Sequence, residues 1–272
     1  MVLLTALLAG CAVFDRGGVA ASLAQSAGMT HSLIGTSGFV LTAFVRRRDA
    51  QAPLVVYIEG DGLAWRSRSE PSLDPTPRDP VGLRLAVLDP TPNVLYLARP
   101  CQYTPSMLDR RCHQDYWTGR RFAEEVIASM NEAIDVVLRA GGRGVRLVGY
   151  SGGGAVAALI AARRGDVIDL RTVAGNLDHV ALNRHHGVSP LKGSLNAADV
   201  APSLARLPQL HLVGSRDEVV VPAVVESYAA RARDRKCIRI QRVDGASHED
   251  GWTKIWPAML RWQPACGSAT GR

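Results

Sequence analysis

The chain has 272 residues, of which 47% are hydrophobic and 21% charged. That is enough apolar mass for one large core, and too little charge for a disordered chain. The net charge is +7, and it is carried mostly by arginine. The clusters Arg46 to Arg48, Arg110-Arg111, Arg120-Arg121 and Arg231 to Lys236 read as solvated faces or, alternatively, as attraction to anionic headgroups. Few aromatics interleave with them and no nucleic-acid motif occurs, which excludes DNA and RNA binding.

The N-terminus carries an apolar run, Val2 to Ala9, too short to span a bilayer. It ends in Leu8-Ala9-Gly10-Cys11 and resembles the lipobox of bacterial lipoproteins, in which the signal is cut before the cysteine and the thiol is lipidated. No Lys or Arg precedes the run, as a signal peptide requires, and a buried N-terminal strand is the alternative. The expected organisation is a signal-like segment at 1–10, a linker at 11–34, a catalytic domain at 35–266 and a tail at 267–272. The resemblance implies an envelope protein facing the periplasm, held to the membrane by a lipid on Cys11.

Beyond this segment, Phe39 to Val45 and Leu54 to Ile58 read as strands, the second buried on both faces. Pro71, Pro75, Pro77 and Pro80 make Arg66 to Pro80 a loop. Val81 to Leu88 is a short helix, and Asn93 to Ala98 another buried strand. From Phe122 the period becomes helical: Phe122, Val126, Met130, Ile134 and Val137-Leu138 form one stripe, ended by Gly141-Gly142. Strand Val145 to Val148 and helix Ala155 to Arg163 follow, then strand Asp169 to Ala174. The stretch His179 to Pro208 reads as irregular, a possible small cap over the site. Strand Leu210 to Gly214, a helix opened by Pro222, strand Ile238 to Val243 and helix Trp252 to Trp262 complete the chain. The alternation predicts an α/β fold with a doubly wound, mostly parallel sheet.

Setting Cys11 aside leaves four of the five cysteines. Four allow three pairings, and local proximity favours Cys101–Cys112 and Cys237–Cys266. Such bridges imply an oxidising compartment. No cysteine or histidine grouping has metal-ligand spacing, and no cofactor is implied.

The chemistry concentrates at Gly149-Tyr-Ser151-Gly-Gly153, placed between a strand and a helix. There a tight turn raises a serine hydroxyl above the sheet, at the positive end of a helix. The glycines at 149 and 153 leave room for neighbouring backbone. A serine needs a base, and the base needs a third group to orient it. Asp217 follows the strand ending at Gly214, and His248 follows the strand ending at Val243. Glu218, Asp178 and Asp244 are rival acids. With the order Ser151, Asp217, His248, the Gly214-Ser-Arg-Asp217 loop and the Gly245-Ala-Ser-His248 loop, the chain resembles an α/β-hydrolase fold protein over about residues 35 to 265.

The resemblance implies a serine hydrolase acting on a small-molecule or lipid ester, or a related acyl compound, through an acyl-enzyme. Acyltransferase or peptidase chemistry with the same triad, or a non-catalytic binding protein on the same fold, are the alternatives. It also places an oxyanion hole after the early buried strand, at Glu59-Gly60-Asp61-Gly62. The amides of Asp61 or Gly62 would then act with that of Gly152. Glu59, Gly60 and Tyr150 are expected beside the substrate. Glu59 stands where the family commonly has histidine; it is expected to pair with Arg99 or another arginine, or to favour a cationic substrate.

Overall fold

Short apolar runs bounded by glycine, proline and polar residues fold as strands. The computed structural model describes residues 15–139, 143–263 and 266, and among them eight strands form one sheet. These are β1 (Thr30–Gly35), β2 (Val40–Arg46), β3 (Leu54–Ile58), β4 (Val94–Leu97), β5 (Val145–Tyr150), β6 (Val167–Val173), β7 (Gln209–Gly214) and β8 (Ile238–Val243). The spatial order is β1-β2-β4-β3-β5-β6-β7-β8. β1 with β2 and β2 with β4 pair antiparallel, and every other pair is parallel. Central β3 and β4 are buried along their whole length, as continuous apolar runs require.

Helices cover both faces. On one side lie α3 (Glu124–Leu138), α4 (Gly152–Ala161), α6 (Ala197–Val200) and α7 (Pro222–Arg231). Val126, Met130, Ile134 and Val137 of α3 enter the core there, along the stripe the sequence shows. On the other side lie α1 (Arg16–Ser26), α2 (Val81–Val87) and α8 (Trp252–Arg261), with Leu83, Leu85, Trp252 and Trp256 packed against Val55, Tyr57 and Val148. The sheet is thus doubly wound. The signal-like segment, Cys11, Gly141-Gly142 and the 267–272 tail lie outside the described residues.

Two expectations need correction. Within 11–34, the described residues are not a linker: α1 and β1 belong to the domain. Asp15 accepts a hydrogen bond from the amide of Gly18, Ala20 and Ala24 are buried, and β1 pairs along β2. The helix buries small alanines rather than a stripe of large residues, so its pattern is faint in the sequence. The stretch His179 to Pro208 is helical in part rather than irregular throughout, with 187–196 remaining irregular. It contains α5 (His179–His186), α6 and a 3-10 turn at Ala201–Leu204. Asp178 caps α5 by accepting from the amides of Val180 and Ala181, and Gly187 ends it at φ +61°. Ala197, Ala198, Ala201 and Leu204 pack into the core.

The disulfides Cys101–Cys112 and Cys237–Cys266 are both formed, as local proximity predicts.

A buried polar group joins the strands near the α7 face. His211 on β7 lies 2.8 Å (Nδ1) from Thr172 Oγ1 and 3.1 Å (Nε2) from Gln209 Oε1. An amide oxygen only accepts, so Nε2 donates and Nδ1 accepts from the threonine hydroxyl. Burial depresses the His211 pKa to about 3, whereas an exposed histidine titrates near 6.5. Between those values the unfolded chain binds the extra proton. The His211 contribution is therefore full above about pH 6.5 and is lost as pH falls toward 3. Urea unfolding from pH 6.5 to 4 is expected to show a slope of up to about 1.4 kcal/mol per pH unit from this group. A His211→Gln variant is expected to lose that part of the slope; an unchanged slope would refute the account.

Candidate active site

β5 delivers Ser151 into a turn that α4 continues at once. Its φ is +50°, a left-handed conformation rare for any residue but glycine. Neighbouring backbone holds it there: Ser151 N donates to Val173 O, and Asn176 N donates to Ser151 O, each at 2.9 Å. A Cβ on Gly149 would collide with Gly153 O, and one on Gly153 with the carbonyl oxygens of Ile58 and Glu59. Both glycines are required because α4 starts in contact with the ends of β3 and β5. As the first residue of α4, Gly152 has an amide N–H with no partner inside the helix.

The loops after β7 and β8 complete a chain of hydrogen bonds. His248 Nε2 is 3.0 Å from Ser151 Oγ, and His248 Nδ1 is 3.0 Å from Asp217 Oδ2 and 3.2 Å from Oδ1. A carboxylate accepts, so Nδ1 carries the proton and Nε2 offers its lone pair to the serine O–H. Asp217 is 5% exposed, and its Oδ1 also accepts from the amides of Val219 (2.9 Å) and Val220 (2.8 Å). The carbonyl of His248 accepts from Tyr150 Oη at 3.2 Å and Trp252 Nε1 at 2.8 Å, which fixes the histidine loop to β5 and α8. The Tyr150 ring lies 5.4 Å from the imidazole, and burial raises the pKa of its hydroxyl. Of the rival acids, Asp178 is engaged by Val180, Ala181, Asn196 and Ser227, while Glu218 and Asp244 are exposed.

The loop after β3 differs from expectation at its first residue. Glu59 does not pair with Arg99. It is 1% exposed and accepts from the amides of Gly60 (2.9 Å), Gly82 (3.1 Å) and Leu83 (3.3 Å) and from Tyr96 Oη (3.0 Å). Burial raises its pKa, and these four donors oppose the rise. With its oxygens so engaged, Glu59 anchors the start of α2 to β3 and leaves no acceptor for a cationic substrate. Arg99 pairs instead with Asp61, at 3.1 Å, and Arg121 approaches the same carboxylate at 2.7 Å. Burial alone would raise the Asp61 pKa, but Arg121 and Arg99 outweigh it and the net shift is downward. The Asp61 carboxylate fills the space where a Cβ of Gly152 would stand. Gly62 has φ +63° and sits beneath Pro75. Gln102 Nε2 donates to Gly60 O at 3.0 Å, and Gln102 Oε1 accepts from Arg99 N at 3.0 Å. The chain of Gly60, Asp61 and Gly62 is thus held beside Ser151 by residues far from it in sequence.

Ser151 and His248 line a cleft of about 480 Å³ that also includes Glu59, Asp61, Gly62 and Tyr150. Trp65, Pro77, Arg78, Arg121 and Val219 shape the rest. The Arg66–Pro80 loop therefore borders the cleft, whereas no residue of 179–208 lines it. Sequence reasoning missed Gln102, Arg121 and Trp252 as supports. Arg121 carried a faint signal, an arginine pair just before the apolar stripe of α3, but that pair reads equally as a solvated face.

No protein-family model and no curated protein matches the chain. Solved structures do resemble it. Est1E from Butyrivibrio proteoclasticus is 13% identical, with 85% of this chain and 95% of that one covered and a TM-score of 0.59. An alpha-beta serine hydrolase homologue from Coxiella burnetii is 14% identical, covering 85% and 93%, at 0.55. A puromycin-hydrolyzing peptidase of Mycobacterium tuberculosis is 16% identical, covering 85% of this chain and 37% of that one, at 0.61. The mostly parallel sheet with its flanking helices is the α/β-hydrolase fold.

The collision at Gly153 is with backbone oxygens, which cannot rotate away. Gly153→Ala is expected to cost about 1–3 kcal/mol in urea unfolding, and a neutral result would refute the close approach of α4 to β3.

Proposed function

We propose that the chain is a serine hydrolase that cleaves a carboxylic ester, or a related acyl compound, through an acyl-enzyme. The observation that carries this reading is the continuous hydrogen-bonded line from Asp217 through His248 to Ser151, with the nucleophile lifted into a strained turn at a helix start. Nucleophile, base and orienting acid stand within hydrogen-bond reach and in the protonation order that acyl transfer needs. The fold's occurrence in a serine hydrolase homologue and in a peptidase is consistent with acyl chemistry of this general kind.

In the mechanism, His248 Nε2 takes the Ser151 proton as Oγ attacks the substrate carbonyl. The carbonyl π pair moves onto oxygen, where the amides of Gly152 and of Asp61 or Gly62 stabilise it. On collapse the ester C–O bond breaks, and the leaving alcohol takes the proton from His248. His248 then removes a proton from water, hydroxide adds to the acyl carbon, and Ser151 Oγ departs with the proton returned to it. Asp217 stays ionised throughout and holds the imidazole in place. With the Asp61 carboxylate so near the oxyanion, its double pairing to Arg99 and Arg121 has a direct purpose: it offsets a negative charge that would otherwise oppose the transition state.

The N-terminal motif supports export, with lipidation of Cys11 tethering the enzyme to the envelope on the periplasmic side. Disulfides at Cys101–Cys112 and Cys237–Cys266 suit an oxidising compartment. In a bacterial host, Cys11→Ala is expected to release the protein from the membrane fraction; membrane retention of that variant would refute the lipid anchor.

Ser151→Ala is expected to abolish labelling by a fluorophosphonate probe and to lower p-nitrophenyl ester turnover by about 10⁶-fold, with the fold retained. Asp217→Asn is expected to cost about 10⁴-fold in kcat. Undiminished labelling of the alanine variant would sink the nucleophile assignment.

A further inference from the structure

Parallel strands have two ends, and the triad uses only the carboxyl ends. At the opposite end the residues around the starts of β3, β4 and β5 bound a second cavity of about 560 Å³. Its size falls in the range of small-molecule sites, about 300–1,000 Å³. Val55 and Val148 contribute from the sheet, Leu88 from the end of α2, and Pro257 and Leu260 from α8. Most of the enclosing surface is therefore apolar.

The charges around this cavity are not balanced. Arg146, Arg171 and Arg261 line it. The carboxylates are Asp89, which also lines it, and Asp169, which lies behind and pairs with both Arg146 and Arg171. Arg46 also lies behind the wall, donating to the backbone oxygens of Asp89 and Thr91, so guanidinium groups outnumber carboxylates and positive charge is in excess. The carboxylates are already engaged: Asp89 accepts from Tyr57 Oη at 2.7 Å and from Thr91 N at 2.8 Å. Arg171 is also held in place, donating to Met259 O at 2.9 Å and Trp262 O at 3.1 Å. Arg146 differs. Its Nη1 meets Asp169, while its Nε and Nη2 have no protein partner among the described residues. Arg261 is exposed and has no ion pair among them. Thr91, another lining residue, has a hydroxyl without a partner there.

We infer that this cavity is a second ligand site, separate from Ser151, that takes an amphipathic anion: a carboxylate carrying an apolar chain. Net positive charge, presented by guanidinium donors suited to a carboxylate, sits beside an apolar hollow of ligand size. A purely apolar ligand would leave the charge unanswered. A cation would meet the guanidinium groups and a single lining carboxylate, Asp89, whose two oxygens already accept from Tyr57 and Thr91.

Decanoate, below its micelle concentration, is the probe, titrated calorimetrically into the full chain. Binding is expected, with affinity about tenfold lower in Arg261→Glu and in Arg146→Gln, lost in Leu260→Glu, and unchanged in Ser151→Ala. Decylamine is expected not to bind. Arg261 is exposed, so its variant keeps the test open if removing Arg146 from Asp169 impairs folding. Absence of decanoate binding overturns the inference. So does binding that ignores the Arg261, Arg146 and Leu260 variants, or decylamine binding equally well. Ester turnover plays no part in the readout, so failure here is distinguishable from failure of the triad.

Discussion

The site depends on how closely α4 approaches the sheet. Its first turn lies against the carbonyls that end β3, and Gly149 and Gly153 permit this because neither carries a Cβ. That approach forces Ser151 into φ +50°, where strain persists only because the surroundings over-determine it. The bonds to Val173 and Asn176 supply that determination from β6 and the loop after it. Strand, turn and helix thus act as one unit, and the hydroxyl direction follows from backbone packing rather than side-chain choice.

Around this unit, buried charge is arranged so that each carboxylate has a defined partner. Glu59 and Asp61 are two residues apart yet differ in kind. Glu59 meets neutral donors, three of them amides, which do not offset burial, and its pKa rises; Asp61 meets two guanidinium groups, which do, and its pKa falls. The first is a structural clamp between β3 and α2. The second brings an ionised group next to Ser151 and surrounds it with compensating charge. Removing one partner of such a buried group leaves an uncompensated charge, which costs more than the intact pair contributes.

Much of this was legible in the sequence because it depends on local order. Strand-turn-helix around Ser151, and loops carrying Asp217 and His248 after two later strands, follow from apolar runs and glycine positions. What was not legible depends on distance across the fold. Nothing near Arg99 in sequence indicates that it meets Asp61 rather than Glu59; that choice is made when the turn after β4 folds back onto the loop after β3. Gln102 has no motif at all, yet it bonds both Gly60 and Arg99. Similarly, α1 lacks a strong apolar stripe because alanine packs closely against α2, so its helix was invisible to a search for large periodic residues.

The two disulfides fit the same logic. Cys101 and Tyr103 have φ of +70° and +58°, a pair of strained residues around Gln102 in the turn that presses on the loop after β3. The Cys101–Cys112 bridge ties that turn down across 11 residues, and Cys237–Cys266 spans 29 residues around β8, His248 and α8. By chain entropy such closures stabilise by about 3 and about 3.5 kcal/mol. Each closes a segment beside the cleft: the turn with Gln102 in one case, the His248 loop in the other, the second also carrying the buried Trp252 and Trp256. Helix and sheet packing suffice to place Ser151. The loops that meet it have less apolar burial of their own, and there covalent bridges reinforce the hydrogen bonds that set the geometry.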